Sequence, residues 1–340
     1  NCAVKHQIRS ITQMLSSMNI VDFTKLTKLD LIMGKVNEGG KQLNEIYAFL
    51  LSSFKAYKSS TGSGESINLE DTESIRTFAD YVLWKQQEKL KKGQRLSAAD
   101  CYSNEDILVQ FFTLFMAGAV TLGFTTMWAF YYLANSKTAQ EKIANEINSF
   151  LDSYDNSQQS ILSVEDDILV VKQRDAFKYT NACVDEILRL SSTQATLPRS
   201  TASHDVSIDN GSYLLPGDTT VVVNLFAVHR DPKFYPDEPN EFKPERWLNN
   251  ENDASGNVVV TTRQRNDSFL PFGLAPRTCF GDTLSKNVLM CLIVNLVRKY
   301  DLDYIQSEAS ASTMSSSLGK LGAMRRPYFY NLRIKSRKNN

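Results

Sequence analysis

One long apolar run dominates the hydrophobic pattern of this chain. Between Asp106 and Lys137 there is no charged residue, and the run is longer than the roughly 20 residues that cross a bilayer as a helix. Gln110 and several threonines interrupt it, and the residues just before it, Ser103 to Asp106, are typical of a helix start. We therefore predict a long central helix over 103–135 that is buried in a protein core, with a transmembrane helix as the alternative.

Shorter patterns predict the remaining elements. Helical patterns dominate as far as an amphipathic helix at 176–191, and an apolar helix at 283–300 lies near the C-terminus. Short strand-like runs punctuated by turn residues cluster at 206–223 and again around 328–334. The polar stretch 249–267 is expected to be a surface loop. We predict a mainly α fold with a smaller β-rich part.

The composition limits the kinds of protein that this chain can be. Its 340 residues are 42% hydrophobic, which is enough for a sizeable core, and its net charge of zero gives no electrostatic sign of a nucleic-acid partner. The five cysteines show no C-x-x-C spacing, so we expect neither a zinc site nor a disulfide framework. Cys183 and Cys291 lie on apolar faces of predicted helices, and we predict that both are core residues.

The segment with the most specific chemistry is residues 272–281, FGLAPRTCFG. It places Cys279 just before the predicted C-terminal helix, where the helix dipole and the unpaired N–H groups favour a thiolate. Two glycines let the backbone approach a large flat group, Phe272 supplies an aromatic wall, and Arg277 supplies a cation. These features suit a sulfur bound to a haem iron whose propionates need counter-ions. A buried structural thiol is the alternative.

This segment closely resembles the haem-binding loop of the cytochrome P-450 superfamily, F-G-x-G-x-R-x-C-x-G. It departs at one position, where Ala275 replaces the second glycine. The resemblance implies heme b (iron protoporphyrin IX) as the cofactor and Cys279 as the axial ligand of its iron. It also implies contacts to the haem from Phe272, Gly273 and Gly281.

Two motifs ahead of this loop stand in the order that the family has them. Glu186 and Arg189 are three residues apart on a predicted helix and so share one face. Arg246 lies in the segment 244–247, PERW. The superfamily combines such an E-x-x-R pair with the arginine of a P-E-R-[FW] segment on the thiolate side of the haem. The resemblance implies that Glu186, Arg189 and Arg246 form a structural charge cluster rather than a catalytic one.

The region between these motifs also resembles the family. Residues 197–199, LPR, match the segment whose arginine meets a haem propionate, so the resemblance implies that Arg199 and Arg277 hold the propionates. Residues 229–232 match the family's H-R-D-P. We expect His229 to be a structural histidine with satisfied hydrogen bonds, because the thiolate already accounts for the protein ligand of the iron.

The middle of the long helix, AGAVT at 117–121, resembles the family's A-G-x-[DE]-T on the distal haem face. By this resemblance Ala117 and Gly118 contact the cofactor region and leave room for dioxygen, and Thr121 is the catalytic residue that manages protons. Val120 takes the place of the usual acid and cannot relay a proton. Three explanations stay open: water and Thr121 suffice, the relay is slow, or the chemistry needs no such relay.

The resemblance implies a haem-thiolate monooxygenase of eukaryotic microsomal type. Such an enzyme inserts one atom of O2 into a hydrophobic organic substrate and receives electrons from NADPH through a reductase. The positions expected to line the substrate pocket are Phe112, Phe115, Met116, Ala117, Thr196, Leu197 and 319–324.

The resemblance also carries expectations about organisation. We expect a single, partial cytochrome P-450 domain over 1–340, with the distal helix at 103–135 and the haem-thiolate loop and following helix at 268–300. Nothing resembling the family's early segments precedes them, so we expect an N-terminally truncated chain. The resemblance places the protein at the cytosolic face of the endoplasmic reticulum membrane, with membrane association only through the missing N-terminal anchor.

Two other classes of function stay open. One is a haem-thiolate isomerase or dehydratase that rearranges oxygenated lipids, for which Val120 is the supporting feature. The other is a non-enzymatic membrane or interaction protein in which the long apolar run spans the bilayer. Turnover of peroxide-containing substrates without a reductase tests the isomerase or dehydratase. A haem spectrum tests the non-enzymatic protein.

Overall fold

A computed structural model of the chain forms two compact units, Asn1–Val120 and Thr121–Asn340. The residues that the structure describes are 49, 52, 78–93, 104–152, 162–165, 168–171, 174–252, 258–262, 266–305, 319, 324–328 and 330–337. Helix α1 (Phe78–Lys91) belongs to the first unit. Helix α2 (Asn104–Ala134) begins in the first unit and ends in the second.

The described part of the second unit adds four helices and five two-stranded antiparallel sheets. The helices are α3 (Lys137–Asp152), α4 (Lys178–Ser191), the short α5 (Leu225–Val228) and α6 (Asp282–Lys299). The sheets pair β1 (Leu162–Glu165) with β2 (Ile168–Val171), β3 (Thr196–Ser200) with β6 (Thr220–Asn224), β4 (Val206–Ile208) with β5 (Tyr213–Leu215), β7 (Leu248–Asn252) with β8 (Val258–Thr262), and β9 (Tyr300–Ile305) with β10 (Asn331–Ser336). The predicted mainly α fold with a smaller β-rich part is confirmed.

Helix α2 is apolar over most of its length. Among the described residues its segment Thr113–Ala134 is long and apolar enough to cross a membrane. Within the second unit, however, Trp128, Ala129 and Leu133 are fully buried in a protein core with side chains of α3, α4 and α6. The large side chain of Trp128 is therefore covered by other helices of the protein and not by lipid. This favours the buried helix over the transmembrane alternative for residues 121–134.

Helix α4 lies at the centre of this core. Every residue from 180 to 191 is buried, so the polar groups at both helix ends need partners inside the protein. At the N-terminus the carboxylate of Glu146 accepts the backbone N–H of Thr180 at 2.9 Å. At the C-terminus the guanidinium groups of Arg230 and Arg325 donate to the carbonyl of Leu190 at 2.5 and 2.7 Å. An anion at the start and cations at the end match the helix dipole.

Two hairpins lie where the sequence patterns predicted none. The stretch 249–267 was expected to be a loop, but β7 and β8 pair there in register from Leu248↔Thr262 to Asn252↔Val258. The strand β8 consists of β-branched residues, which fit a pleated strand. The hairpin of β1 and β2 interrupts a region where helical patterns dominate. Such short strands are stabilised mainly by pairing with the partner strand, and their own sequence is too short to show a clear hydrophobic alternation.

Gln140 joins α3 to the end of α2 and to β9. Its side chain is fully buried. The amide Nε2 donates to the carbonyls of Leu133 at 2.7 Å and Leu302 at 2.9 Å, and Oε1 accepts the N–H of Leu302 at 2.8 Å. One amide thus satisfies backbone groups of two other elements in a place that water does not reach.

We expect Gln140→Leu to lower the free energy of unfolding by about 1–3 kcal/mol, because the buried N–H of Leu302 loses the Gln140 Oε1 as its acceptor. The carbonyls of Leu133 and Leu302 keep the Ser136 N–H and the Lys137 Nζ as donors. Urea denaturation measures the loss. The control is Glu141→Ala at the neighbouring exposed position, which should change stability by less than about 0.5 kcal/mol. Equal effects of the two substitutions would contradict the linking role of Gln140.

Candidate functional site

The cysteine loop is closed by its own backbone. The N–H of Cys279 donates to the carbonyl of Phe272 at 2.9 Å, and the N–H of Arg277 donates to the carbonyl of Leu274 at 3.1 Å. Gly273 has a φ of +78°, a backbone conformation that residues with a Cβ atom rarely adopt. The first glycine of the motif is therefore needed for the backbone conformation of the turn.

Ala275 stands where the family motif has its second glycine. It lies outside the left-handed region that Gly273 occupies, and its side chain is exposed. The following peptide bond, Ala275–Pro276, is cis. An alanine is compatible with this backbone, so the departure from the motif requires no strained conformation.

Cys279 lies two residues ahead of Gly281, the N-cap of α6. Its thiol is free and exposed. Gly281 has φ −84° and ψ 6°, and as a glycine it has no side chain with which to cap the helix. The first N–H groups of α6 are thus available to an electron-rich group near the helix N-terminus. Cys183, by contrast, is fully buried in α4, and Cys291 is half-buried in α6.

A cavity opens in front of the Cys279 thiol. The empty space among its lining side chains, part of it open to solvent, is about 940 Å³. The elements that surround it are the second half of α2, the end of α4, β3, α5, the cysteine loop and the start of α6. The lining residues are Thr121, Leu122, Thr125, Leu188, Ser191, Thr193, Gln194, Leu197, Leu225, Pro271, Phe272, Gly273, Arg277, Cys279, Ser285 and Leu289.

The cavity brings together some of the sequence-predicted site residues. Six of them line it although they come from three distant parts of the chain: Thr121, Leu197, Phe272, Gly273, Arg277 and Cys279. Gly281 lies at its edge, since a Cβ built on Gly281 would stand 3.7 Å from the Cys279 Sγ. The structure therefore places the predicted sulfur ligand and the predicted proton-handling threonine in one space.

Other predicted positions lie elsewhere. Arg199 and Thr196 are exposed on β3 and are not among the cavity's lining residues, and the Arg199 Nη1 donates to the carbonyl of Pro198 at 2.8 Å. Four predicted positions, Phe115, Met116, Ala117 and Gly118, belong to the first unit, where the first two are half-buried and the last two are exposed. The Phe112 side chain and residues 320–323 lie outside the part of the chain that the structure describes.

The residues present fit a haem at this cavity. A free thiol faces a space with mostly apolar walls, which suits a soft metal ligand on a largely hydrophobic group. Any side chain at Gly281 would fill the space beside the sulfur. Arg277 adds one cationic side chain to the lining. The iron of a haem would thus have the Cys279 thiol as its partner, the apolar ring would have the apolar lining, and a propionate would have Arg277.

Glu186, Arg189 and Arg246 meet in a buried cluster beside α4. The Glu186 carboxylate accepts two hydrogen bonds from Arg189, both at 2.8 Å, and one from the Arg246 Nε at 2.9 Å. Two further donors complete it: the backbone N–H of Lys243 at 3.0 Å and the Trp247 Nε1 at 3.0 Å. The Glu186 and Arg189 side chains are fully buried. Their charges are therefore compensated inside the protein rather than by water.

His229 connects this cluster to the cysteine loop. Its carbonyl accepts the Arg189 Nη1 at 2.5 Å. Its ring Nε2 accepts the backbone N–H of Leu270 at 3.1 Å, so the proton of the neutral ring is on Nδ1, which donates to the Ser192 Oγ at 3.1 Å. Burial, with the nearby charges of Arg189 and Arg230, lowers the pKa of His229 to about 3. His229 is thus a neutral structural histidine.

Sequence reasoning missed the pair formed by Thr125 and Thr193. The two hydroxyls are 2.9 Å apart and buried. The Thr125 Oγ1 donates to the carbonyl of Thr121 at 2.8 Å, so the Thr193 hydroxyl is the donor between the pair. Both residues line the cavity next to Thr121. The spacing of four from Thr121 to Thr125 was a signal for one of them, but nothing local marks Thr193.

Comparisons with known proteins agree with the geometry. The sequence model of the cytochrome P450 family matches residues 1–332. Steroid 17-alpha-hydroxylase/17,20 lyase of Rattus norvegicus is 30% identical over 237 residues, 68% of this chain and 42% of that protein. Cytochrome P450 2U1 of Bos taurus is 28% identical over 269 residues, 78% of this chain and 43% of that protein. The chain spans about two-fifths of the length of these curated relatives.

We expect Glu186→Gln to destabilise the protein by about 3–5 kcal/mol, because it leaves the guanidinium groups of Arg189 and Arg246 without a buried counter-charge. Urea denaturation is the measurement. The control is Glu245→Gln, which removes an ion pair between side chains that are 44% exposed (Glu245) and 47% exposed (Lys142) and should cost about 1 kcal/mol or less. A loss for Glu186→Gln no larger than that of the control would show that the cluster is not structural.

The low pKa of His229 predicts a pH dependence of stability. The unfolded chain binds a proton at His229 near pH 6.5, whereas the folded chain does so only near about pH 3. Stability should therefore fall as the pH is lowered from about 6.5 towards 3, since the unfolded state binds more protons in that window. His229→Gln should make the fall shallower, as measured by urea denaturation at pH 4 to 7. The exposed His204→Gln should leave it unchanged, and equal slopes for all three proteins would contradict the argument.

Proposed function

Because this chain belongs to the cytochrome P450 family, we propose that it acts as a haem-thiolate monooxygenase. Such an enzyme inserts one atom of O2 into a hydrophobic organic substrate. The observation that carries the proposal is the cavity that Cys279, Thr121 and a largely apolar set of residues line together. No other described cysteine lines this cavity, because Cys183 and Cys291 are not among its residues.

The proposed cofactor is heme b, with Cys279 as the axial ligand of its iron. When bound, it supplies an iron centre whose thiolate ligand favours cleavage of the O–O bond. Phe272 gives the group an apolar wall, and Gly273 and Gly281 keep the backbone beside it free of side chains. Arg277 is the propionate partner that the cavity supports directly.

Arg199 is the second propionate partner that we propose. Its side chain is exposed and is held by a hydrogen bond to the neighbouring Pro198 carbonyl at 2.8 Å. A carboxylate is a stronger acceptor for a guanidinium than a neutral carbonyl is. Arg199 can therefore exchange this local contact for a propionate when the cofactor is present.

The substrate that this site favours is hydrophobic. Leu122, Leu197, Leu225 and Leu289 supply apolar surface to the cavity, and its charged side chain, Arg277, is assigned to the cofactor. Burying an apolar ligand against such side chains is favourable by about 25 cal/mol per Å². The further pocket positions that we propose are Phe112, Phe115, Met116, Ala117 and Thr196.

Thr121 is the proposed proton-handling residue. Thr121 is one of the residues that line the cavity, and its carbonyl accepts a hydrogen bond from the Thr125 hydroxyl at 2.8 Å. The Oγ1 of Thr121 can hold a proton at the point where dioxygen is to be reduced. By the family motif, Ala117 and Gly118 are the positions that we propose to leave room for dioxygen. The electrons come from NADPH through a reductase. The proposed location is the cytosolic face of the endoplasmic reticulum membrane.

Val120 favours a second candidate function. Its side chain cannot exchange protons, although oxygen activation needs proton delivery. A haem-thiolate isomerase or dehydratase acting on an oxygenated lipid has no such need. Turnover of a lipid hydroperoxide without any reductase, together with failure to consume NADPH when a reductase is added, would favour this candidate over the monooxygenase.

We expect Cys279→Ala to abolish the red-shifted absorption band that a thiolate-ligated haem shows in its reduced, carbon-monoxide-bound form. The reason is that Cys279 is the cavity's thiol. The control is Cys291→Ala, a half-buried cysteine of α6 outside the cavity, which should keep the band. An unchanged band in Cys279→Ala would overturn the proposed ligand, and its absence from the unsubstituted protein would favour the non-enzymatic alternative.

A further inference from the structure

Ser285 places a hydroxyl group beside the proposed sulfur ligand. It lies in the first turn of α6, where its N–H donates to the carbonyl of Gly281 at 2.8 Å. The residue is half-buried and is one of those that line the same cavity as Cys279. Side chains of a helix lean towards its N-terminus, so the Ser285 hydroxyl leans towards Gly281 and the cysteine loop.

Gly281 shows how near the two groups are. A Cβ built on its backbone would stand 3.7 Å from the Cys279 Sγ and 3.8 Å from the Ser285 Oγ. Both atoms therefore border the same small space. A side chain at position 281 would touch both of them, and glycine leaves them free to approach each other.

The Ser285 hydroxyl is available as a donor. In the part of the chain that the structure describes, its Oγ forms no hydrogen bond, although serines at the end of α4 bond nearby carbonyls: the Ser191 Oγ to Leu188 at 3.2 Å and the Ser192 Oγ to Arg189 at 2.8 Å. A hydroxyl that faces a cavity with its proton uncommitted can turn towards an electron-rich partner there, since its hydrogen rotates freely. The sulfur of Cys279 is such a partner once it carries a negative charge.

We propose that the Ser285 hydroxyl donates a hydrogen bond to the thiolate of Cys279 and so limits how much charge the sulfur gives to the haem iron. This inference rests on the proposed function. Hydrogen bonds to a ligand sulfur are one of the means by which a protein sets the reduction potential of its metal. Ser285 is in this sense a positioning and tuning residue, since it acts through Cys279.

The consequence has a definite sign. A hydrogen bond withdraws electron density from the sulfur, so the ferric state is stabilised less than with an unbonded thiolate. Removing the hydroxyl should strengthen donation to the iron, lower the reduction potential and increase back-donation to bound carbon monoxide. The C–O stretching frequency should therefore fall as well.

The experiment compares Ser285→Ala with the unsubstituted haem-loaded protein. Spectroelectrochemical titration gives the reduction potential, and infrared spectroscopy of the reduced carbon-monoxide complex gives the C–O stretch. We expect both to shift downwards in Ser285→Ala. Ser285→Thr, which keeps the hydroxyl, should restore both values towards those of the unsubstituted protein.

The matched control is Thr283→Ala, which removes an exposed hydroxyl from the same turn of α6 at a position outside the cavity. It should leave both values unchanged. Unchanged values in Ser285→Ala, or equal shifts in the two alanine variants, would overturn the role of Ser285. A missing thiolate-type carbonyl band in the unsubstituted protein would instead overturn the proposed function, so the two failures are distinguishable.

Discussion

The larger unit depends on one buried carboxylate, that of Glu186. It accepts five hydrogen bonds, from Arg189, Arg246, Trp247 and the backbone of Lys243. A buried guanidinium without a counter-charge costs several kcal/mol, so α4 and the segment 243–247 can pack together only around this group. The charge cluster is therefore a condition for burying α4, and α4 forms the centre of the core.

The same constraint reaches the candidate site through backbone contacts. Arg189 also binds the carbonyl of His229, and the ring of His229 accepts the N–H of Leu270 just before the cysteine loop. At the end of α4, Arg230 and Arg325 both donate to the carbonyl of Leu190. The position of the Cys279 loop is in this way coupled to the electrostatics of the helix that it packs beside.

The cavity itself gathers short polar side chains on largely apolar walls. Thr121 and Thr125 belong to α2, Thr193 follows α4, and Ser285 lies in the first turn of α6. The Thr125 hydroxyl donates to the Thr121 carbonyl and the Thr193 hydroxyl donates to Thr125, whereas the Ser285 Oγ forms no hydrogen bond within the described part of the chain. Proton handling by Thr121 and control of the Cys279 sulfur by Ser285 would both rely on uncharged hydroxyl groups. The uncharged Val120 next to Thr121 is consistent with such a site.

The sequence by itself determined the local features: the long helix, the pairing of Glu186 with Arg189 three residues later, and the cysteine at the start of α6. Neighbouring residues carry these signals, because helical periods and turn preferences act over a few positions. Only the tertiary structure decided that Thr193 meets Thr125, that His229 bonds Leu270, that β7 and β8 form a hairpin in a polar stretch, and that Arg199 stays off the cavity. These features join groups distant in sequence or depend on which elements pack together, and no local pattern encodes such packing.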